Sequence, residues 1–471
     1  MFISIGIWMK TRYLFIFKHM LSTLKLVIVV LGLIFVTPAF TQETRPWQAP
    51  STEEIKTLLV DRMQHNGVGV VVGIVDANGR RVITHGRGGT DNNRPLDGDT
   101  VCQIGSVTKI FTTLLLSDMV QRKEVGLDDY VSAYLLGNVD IPESGDRMTL
   151  RHLALHQSGL PSMPTNFDVH GKPEPYAAYT LNQLYEFLSA YSFPYAPGEQ
   201  RAYSNMGVSL LGIILASNVE LTYEEILTQR ILKPLHMAST SITLSNNQTA
   251  RLAPGHDLYL QPVDTWELLT LPASGSLRST ANDMLNFAEA YLYSNANSFG
   301  PAIQTQRELL GAGKILRHDG GKEGYRSGFV VNFELGIGVV VLENARTNNR
   351  PMDLAMHLAT GEPLAPAVPA PPAKPRIKLT DAELDRYVGK YQFASGNIYE
   401  IARNKGNLLM QYPSGNILPF VATKPHEFFY NNGDDDIEFV VHTDGTVESL
   451  ILYSDGKQGG STYKANKISV Q

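Results

Sequence analysis

Apolar positions in the first third of the chain change period twice. The stretch APSTEEIKTLLVDRMQHNG, residues 49–67, repeats its apolar residues at helical spacing. GVGVVVGIVDANGRRVITHGRG, residues 67–88, instead reads as a strand, a tight Asn78-Gly79 turn and a second strand. Helical patterns dominate the middle: SVTKIFTTLLLSDMVQRK, TLNQLYEFLSAY, NMGVSLLGIILASNV and TANDMLNFAEAYLY, the last opened by a Thr280-x-x-Asp283 capping box. Strand character returns in GFVVNFELGIGVVVLEN, residues 328–344. Strands, then helices, then strands again predict an α+β domain over 45–360, one antiparallel sheet built from both ends of the segment and covered by helices.

Residues 361–376, GEPLAPAVPAPPAKPR, hold six prolines in sixteen positions, which favours an extended, semi-rigid spacer with few contacts across it. The part before it, with the chain ended near Arg376, is therefore expected to stay folded. Beyond the spacer, 377–471 reads as short strands joined by Asn/Asp-Gly turns, a small all-β domain.

The N-terminal pattern is of another kind. From Met20, which reads as the real start, Lys25 is followed by an unbroken apolar run Leu26–Val36 and then small residues around Thr37–Thr41. This is the layout of an export signal over 1–41, the alternative being an uncleaved membrane anchor. Either leaves the rest of the chain outside the cytoplasm, periplasmic or extracellular.

Composition narrows the function classes. A net charge of −6 with no Lys/Arg-rich run provides no field for nucleic acid. One cysteine, Cys102, excludes an intramolecular disulfide and Cys-based zinc sites. His152 and His156 have metal-compatible spacing but no third ligand pattern, so they read as core or turn histidines, and no metal or other cofactor is expected. No Gly-x-Ser-x-Gly elbow is present, which argues against an α/β-hydrolase, and no Ser-Asp-Asn, which argues against a class A β-lactamase.

Ser106-Val107-Thr108-Lys109 points to chemistry. Ser-x-x-Lys recurs at Ser22, Ser454 and Ser461, but only Ser106 follows a glycine and opens a long apolar helix. A helix N-terminus favours a developing alkoxide, and i, i+3 spacing brings Lys109 within reach of the hydroxyl. Desolvation would lower the lysine pKa enough for its neutral amine to take the serine proton.

The order Ser106-x-x-Lys109, Tyr203-Ser204-Asn205, His318-Asp319-Gly320-Gly321 resembles the three-motif signature of the class C β-lactamase and penicillin-binding-protein superfamily of serine hydrolases. LALHQSGLP, YAPGEQRAYSNMGVSLLG, ILKPLHM and SLRSTANDM are similar to phrases of that family, and the likeness covers about residues 50–358. It implies an antiparallel sheet with an inserted all-helical region, and hydrolysis through an acyl-enzyme on Ser106. It implies that Tyr203 serves as base to Ser106 and acid to the leaving group, and that Asn205 binds a substrate amide carbonyl. The Ser106 and Gly321 N–H groups would form the oxyanion hole beside His318, Asp319 and Gly320. β-Lactams, D-alanyl peptides and simple esters are the implied substrates; a penicillin-binding receptor without turnover is the non-enzymatic alternative. The C-terminal part resembles small β-barrel-like appendages on some relatives. Asp319 departs from the hydroxyl residue common at its position. As an ionised acceptor it is expected either to repel substrate carboxylates or to turn away and pair with His318, Lys322 or Arg326.

Overall fold

A computed structural model describes residues 46–469 apart from 65–66, 89–93, 136, 138, 171–173 and 458–459. The export segment, Met20 included, lies outside the described residues, as does Arg45 at the start of the anticipated domain. No described helix is long and apolar enough to cross a membrane.

Strands β1 (Gly69–Asp76) and β2 (Gly79–Gly86) form the early hairpin, and β3 (Ile315–Lys322), β4 (Tyr325–Asn332) and β5 (Ile337–Glu343) come from the far end of the domain. They make one antiparallel sheet in the order β2-β1-β5-β4-β3. Asp76 pairs with Gly79, so the first turn is Ala77-Asn78, one residue earlier than the sequence suggested. The joining pair is β1 with β5, Val70 opposite Glu343. β1 is buried along its whole length because both faces are covered. Val70, Val72 and Ile74 pack with Ile55 and Leu59 of helix α1 (Thr52–Met63) and with Leu354 and Leu358 of α7 (Pro351–Thr360). Val71 and Val75 point the other way, into the main core.

That core is built around α2 (Thr108–Gln121), buried from Thr108 through Met119, with Ile110, Phe111, Leu114, Leu115, Leu116 and Met119 in the apolar cluster and the hydroxyls of Thr112, Thr113 and Ser117 bonded to backbone carbonyls. Helices α3 (Leu181–Ala190) and α4 (Asn205–Ser217) belong to the helical region inserted between the strands, and α5 (Ala281–Leu292) and α6 (Gly300–Leu310) close it against the sheet. Phe111 of α2 stacks on Phe287 of α5, ring centroids 3.9 Å apart. The anticipated capping box on α5 is only half made. Thr280 accepts from the Asp283 N–H, but the Asp283 carboxylate accepts instead from Ser239 N and Thr240 Oγ, both at 2.8 Å.

The C-terminal strands, Gly389–Phe393 through Thr462–Ile468, close into an eight-stranded barrel. Closure removes every free strand edge, and Tyr391, Phe420, Phe428 and Phe439 fill the interior. This barrel does not hang free. Ala402, Leu409 and Ile417 belong to the same apolar cluster as the catalytic helices, and Ile417 N donates to Tyr176 OH at 2.8 Å. The proline-rich segment is extended but fastened: Arg62 Nη1 donates to Ala365 O at 3.0 Å, Val368 N to Asn349 Oδ1 at 2.9 Å, and Arg376 pairs with Asp257. Few contacts across the boundary was therefore the wrong expectation. Prolines fix the backbone of the spacer but do not keep its carbonyls and flanking charges from finding partners. A chain ended at Arg376 is expected to unfold at a lower temperature than the full chain, read by circular dichroism; an unchanged midpoint for the catalytic part would show that the shared cluster adds no stability.

Candidate active site

Ser106 sits in a single 3-10 turn, Gly105–Val107, that runs directly into α2. The tighter turn places the serine hydroxyl at the mouth of the helix while Lys109, one turn on, is carried inward to 3% exposure. Lys109 Nζ is 3.0 Å from Ser106 Oγ, 2.8 Å from Asn205 Oδ1 and 2.6 Å from the Ser274 carbonyl. Burial pulls its pKa down to about 7, against a smaller opposing pull from Asp319. Two of these three neighbours are carbonyl oxygens, which only accept. A neutral amine has two N–H bonds for them and one lone pair left, directed at the Ser106 hydroxyl.

Tyr203 completes the contact set, its OH donating to Ser106 Oγ at 2.8 Å. The ring is 42% exposed, yet its hydroxyl is turned inward, and burial raises its pKa to about 12. Tyr203 is therefore a neutral donor near pH 7. The backbone holding it is fixed by side chains outside the three motifs. Ser204 caps α4 by accepting from Gly207 N at 2.8 Å while donating to Pro161 O at 2.6 Å. His156 accepts from Ser204 N at 3.2 Å through Nδ1, with its ring 4.4 Å from that of Tyr203. Burial, assisted by the Lys109 charge, lowers the His156 pKa to about 3, so it stays neutral in this role. His152 likewise accepts from Thr149 N at 3.2 Å, as a cap. His152 lies in the short helix Leu150–Ala154 and His156 in the turn after it, and His156 also supports the site. Its left-handed backbone, φ 60°, was not readable from LALHQSGLP.

The His318-Asp319-Gly320-Gly321 motif lies inside strand β3, immediately before β4. Two adjacent glycines interrupt the apolar alternation and hide β3 from a pattern reading. β3 is an edge strand, and its two-residue turn, Glu323-Gly324, makes Lys322 and Tyr325 a hydrogen-bonded pair. Alternation then makes Gly321–Arg326 and Asp319–Gly328 non-bonded pairs, so the N–H groups of Gly321 and Asp319 point off the sheet edge. Gly105 passes so close that a Cβ on it would lie 2.8 Å from Gly321 N; its φ is +49°. A Cβ on Gly320 would lie 2.0 Å from Ile104 O. The glycines thus bring the Gly321 N–H beside the Ser106 turn, the geometry an oxyanion pair requires.

His318 Nδ1 is 2.6 Å from the Asp319 carbonyl, which can only accept, so the proton sits on Nδ1. Burial and the nearby Lys109 lower its pKa. Asp319 forms no ion pair with His318, Lys322 or Arg326 within 4 Å. It lines a cavity of about 960 Å³ beside Tyr203, together with Arg201, Arg317, Arg326, Arg350 and Asp353. Four guanidinium groups against two carboxylates leave the cavity net positive. None of the four is in an ion pair among the described residues, and the buried Arg326 Nε has no partner. Sequence reading missed this cluster because Arg201, Arg317, Arg326 and Arg350 come from four separate segments.

All eight residues singled out from the sequence thus converge here: Ser106, Lys109, Tyr203 and Asn205 in direct contact, His318, Asp319, Gly320 and Gly321 along the adjoining strand. Asn205 is committed to Lys109. Among the described residues no group of three or more His, Cys, Asp or Glu side chains is placed to hold a metal ion.

A sheet of this order, with a serine, lysine and tyrosine converging at the head of its central helix, defines an acyl-transferring serine hydrolase of the β-lactamase type. Comparison with known proteins agrees: the model of the family described as Beta-lactamase matches residues 55–360, and the chain belongs to that family. A second model, Domain of unknown function (DUF3471), matches 373–466. The chain is 25% identical to penicillin-binding protein 4* of Bacillus subtilis over 453 residues, 85% of this chain and 95% of that protein. It is 30% identical to the D-alanyl-D-alanine-carboxypeptidase/endopeptidase AmpH of Escherichia coli over 255 residues, 52% of this chain and 65% of that protein. Among solved structures, a class C β-lactamase from Rhodobacter sphaeroides shares the fold, with TM-score 0.53 and 22% identity, covering 62% of this chain and 93% of that one.

If the neutral Lys109 amine takes the serine proton, kcat/KM falls as pH drops through about 7, where the ammonium forms and the lone pair is lost. A pH–rate profile with an acid limb near 7 is expected. A rate flat from pH 6 to 9 would remove Lys109 from that role.

Proposed function

We propose that the protein is an exported acyl-enzyme hydrolase that cleaves amide bonds of D-amino-acid peptides or β-lactams through Ser106. The observation carrying this reading is that one oxygen, Ser106 Oγ, lies 3.0 Å from a buried, pKa-lowered lysine amine and 2.8 Å from a neutral phenol donor. As Oγ bonds to the substrate carbonyl carbon, its proton passes to Lys109 Nζ. The oxyanion that forms accepts from the Ser106 and Gly321 N–H groups, each worth about 3 kcal/mol in such a site. Tyr203 OH protonates the departing nitrogen as the C–N bond breaks, and the Lys109 ammonium resupplies the phenolate. Water then attacks the ester, its proton enters the same pair, and Ser106 Oγ leaves with a proton. A phenol with pKa about 12 supports Tyr203 as the acid and Lys109 as the base of acylation, a division narrower than the family resemblance implied.

Export is supported by the apolar run Leu26–Val36 and its flanks. The substrate class is supported by the activities for which the relatives are named and by the arginine-lined cavity. Because four unpaired guanidinium groups outweigh Asp319 and Asp353, the cavity favours a substrate carboxylate, opposite to what Asp319 alone suggested. Neutral esters fit the same nucleophile but leave those arginines unused.

Ser106→Ala is expected to lower kcat by about 10⁴-fold or more while leaving the unfolding midpoint nearly unchanged and abolishing the acyl-enzyme mass. A Ser106→Ala protein that still turns over substrate would end this reading, and a mass adduct without turnover in the natural chain would favour the receptor. A panel of a carboxylated β-lactam, a D-alanyl-D-alanine peptide and a neutral ester measures the preference. Arg350→Ala is expected to lower kcat/KM for the carboxylated substrates about tenfold relative to the ester; an unchanged ratio would show that the cluster does not read substrate charge.

A further inference from the structure

Two contacts of the barrel bear on the supports of the catalytic residues, the first made by a hairpin. Its Tyr412–Asn416 tip seats on residues 162–165 of the catalytic part: Met163 N donates to Ser414 O at 3.0 Å, Ser162 Oγ to Asn416 Oδ1 at 3.2 Å, and Gln411 Nε2 to Thr165 O at 3.2 Å. Asn416 is itself oriented by donating to Ser414 Oγ at 3.0 Å. Gly415 has φ +80° and comes so close that a Cβ there would lie 2.1 Å from Met163 O and 2.4 Å from Pro164 O. The segment it grips is the one that holds the start of α4. Met206 N donates to Ser162 O at 3.0 Å, and Ser204 Oγ donates to Pro161 O. Tyr203, Ser204 and Asn205 are therefore fixed from one side by His156 and from the other by a loop clamped under the barrel.

A second contact reaches the opposite wall of the site. Arg346 Nε donates to the barrel carbonyl of Asn432 at 2.9 Å, and its Nη1 stands 3.7 Å from where a Cβ of Gly321 would be. One appended domain thus touches the supports of both the proton relay and the oxyanion strand.

From this geometry we infer that the barrel is a positioning element of the active site, with the 412–416 hairpin, through Asn416 and Gly415, holding Tyr203 and Asn205 in register with Ser106 and Lys109. The inference rests on the acyl-enzyme reading above. Its energetic basis is that displacement of a reacting group by about 1 Å costs about 10²-fold in rate, whereas a substrate bound elsewhere in the cleft is held as before. A loss of positioning therefore lowers kcat more than it raises KM.

The test uses the full-length chain carrying Gly415→Val, Asn416→Ala or Asn416→Asp, with unfolding midpoint, kcat, KM and amide hydrogen exchange at Met206 measured for each. Gly415→Val is expected to lower kcat roughly tenfold or more and Asn416→Ala about threefold, with KM changed less than twofold and Met206 exchanging faster. Asn416→Asp keeps an acceptor for Ser162 Oγ and is expected to recover most of the rate. Should Gly415→Val not fold, the Asn416 pair decides. Wild-type kcat in both Asn416→Ala and any folded Gly415→Val, or equal losses in Asn416→Ala and Asn416→Asp, would overturn the inference. If the natural chain forms no Ser106 adduct with any substrate of the panel, the functional reading fails instead. Met206 exchange then decides the coupling alone, unchanged exchange in Asn416→Ala overturning it.

Discussion

The architecture around the site follows from burying an amine whose charge burial disfavours. Lys109 has to be buried far enough to lose its charge near pH 7, yet its N–H bonds need acceptors that no water can replace. Asn205 and the Ser274 carbonyl meet that need, and each is delivered by a different part of the fold. α4 brings the first and the turn Pro272–Ser274 the second. The buried N-terminal part of α2 carries the lysine to the meeting point. Remove either acceptor and the amine is left with an unsatisfied donor, at a cost comparable to the loss of a buried hydrogen bond, about 1–3 kcal/mol.

The same constraint explains why the glycines of β3 and Gly105 lie so close together. A desolvated nucleophile gains from oxyanion donors only if they are already in place, since solvent cannot supply them. Bringing a sheet edge against a helix mouth leaves no room for side chains. Gly105 approaches Gly321, and Gly320 approaches Ile104, at distances a Cβ would violate.

How much of this was legible before the coordinates follows from the range of each interaction. Ser106 and Lys109 are a local pair, three residues apart on one helix, and the chain order of the three motifs carried the rest of the family's site. The hairpin, the buried helix and the return of strand character over residues 328–344 also stand in the apolar period. What escaped was non-local or backbone-made. β3 was hidden by its own glycines, and the support from His156 depends on a left-handed turn. The arginine cavity joins Arg201 to Arg317, Arg326 and Arg350, more than a hundred positions further along the chain, and sets a net positive charge around Asp319. The barrel's attachment escaped for a related reason: proline content reports on the stiffness of a connection and is silent on what the connected surfaces bury against each other.

The pairing of β1 with β5 has a consequence in time. Val70 cannot find Glu343 until more than 270 further residues have been made, and the hairpin tip at 412–416 is made later still. Contacts of such sequence separation form slowly and late. During that interval the lysine is hydrated and remains a cation, unable to accept a proton. A growing chain therefore carries its nucleophile in a dormant form. Chemistry begins only when the last-made parts of the protein have expelled water from the first.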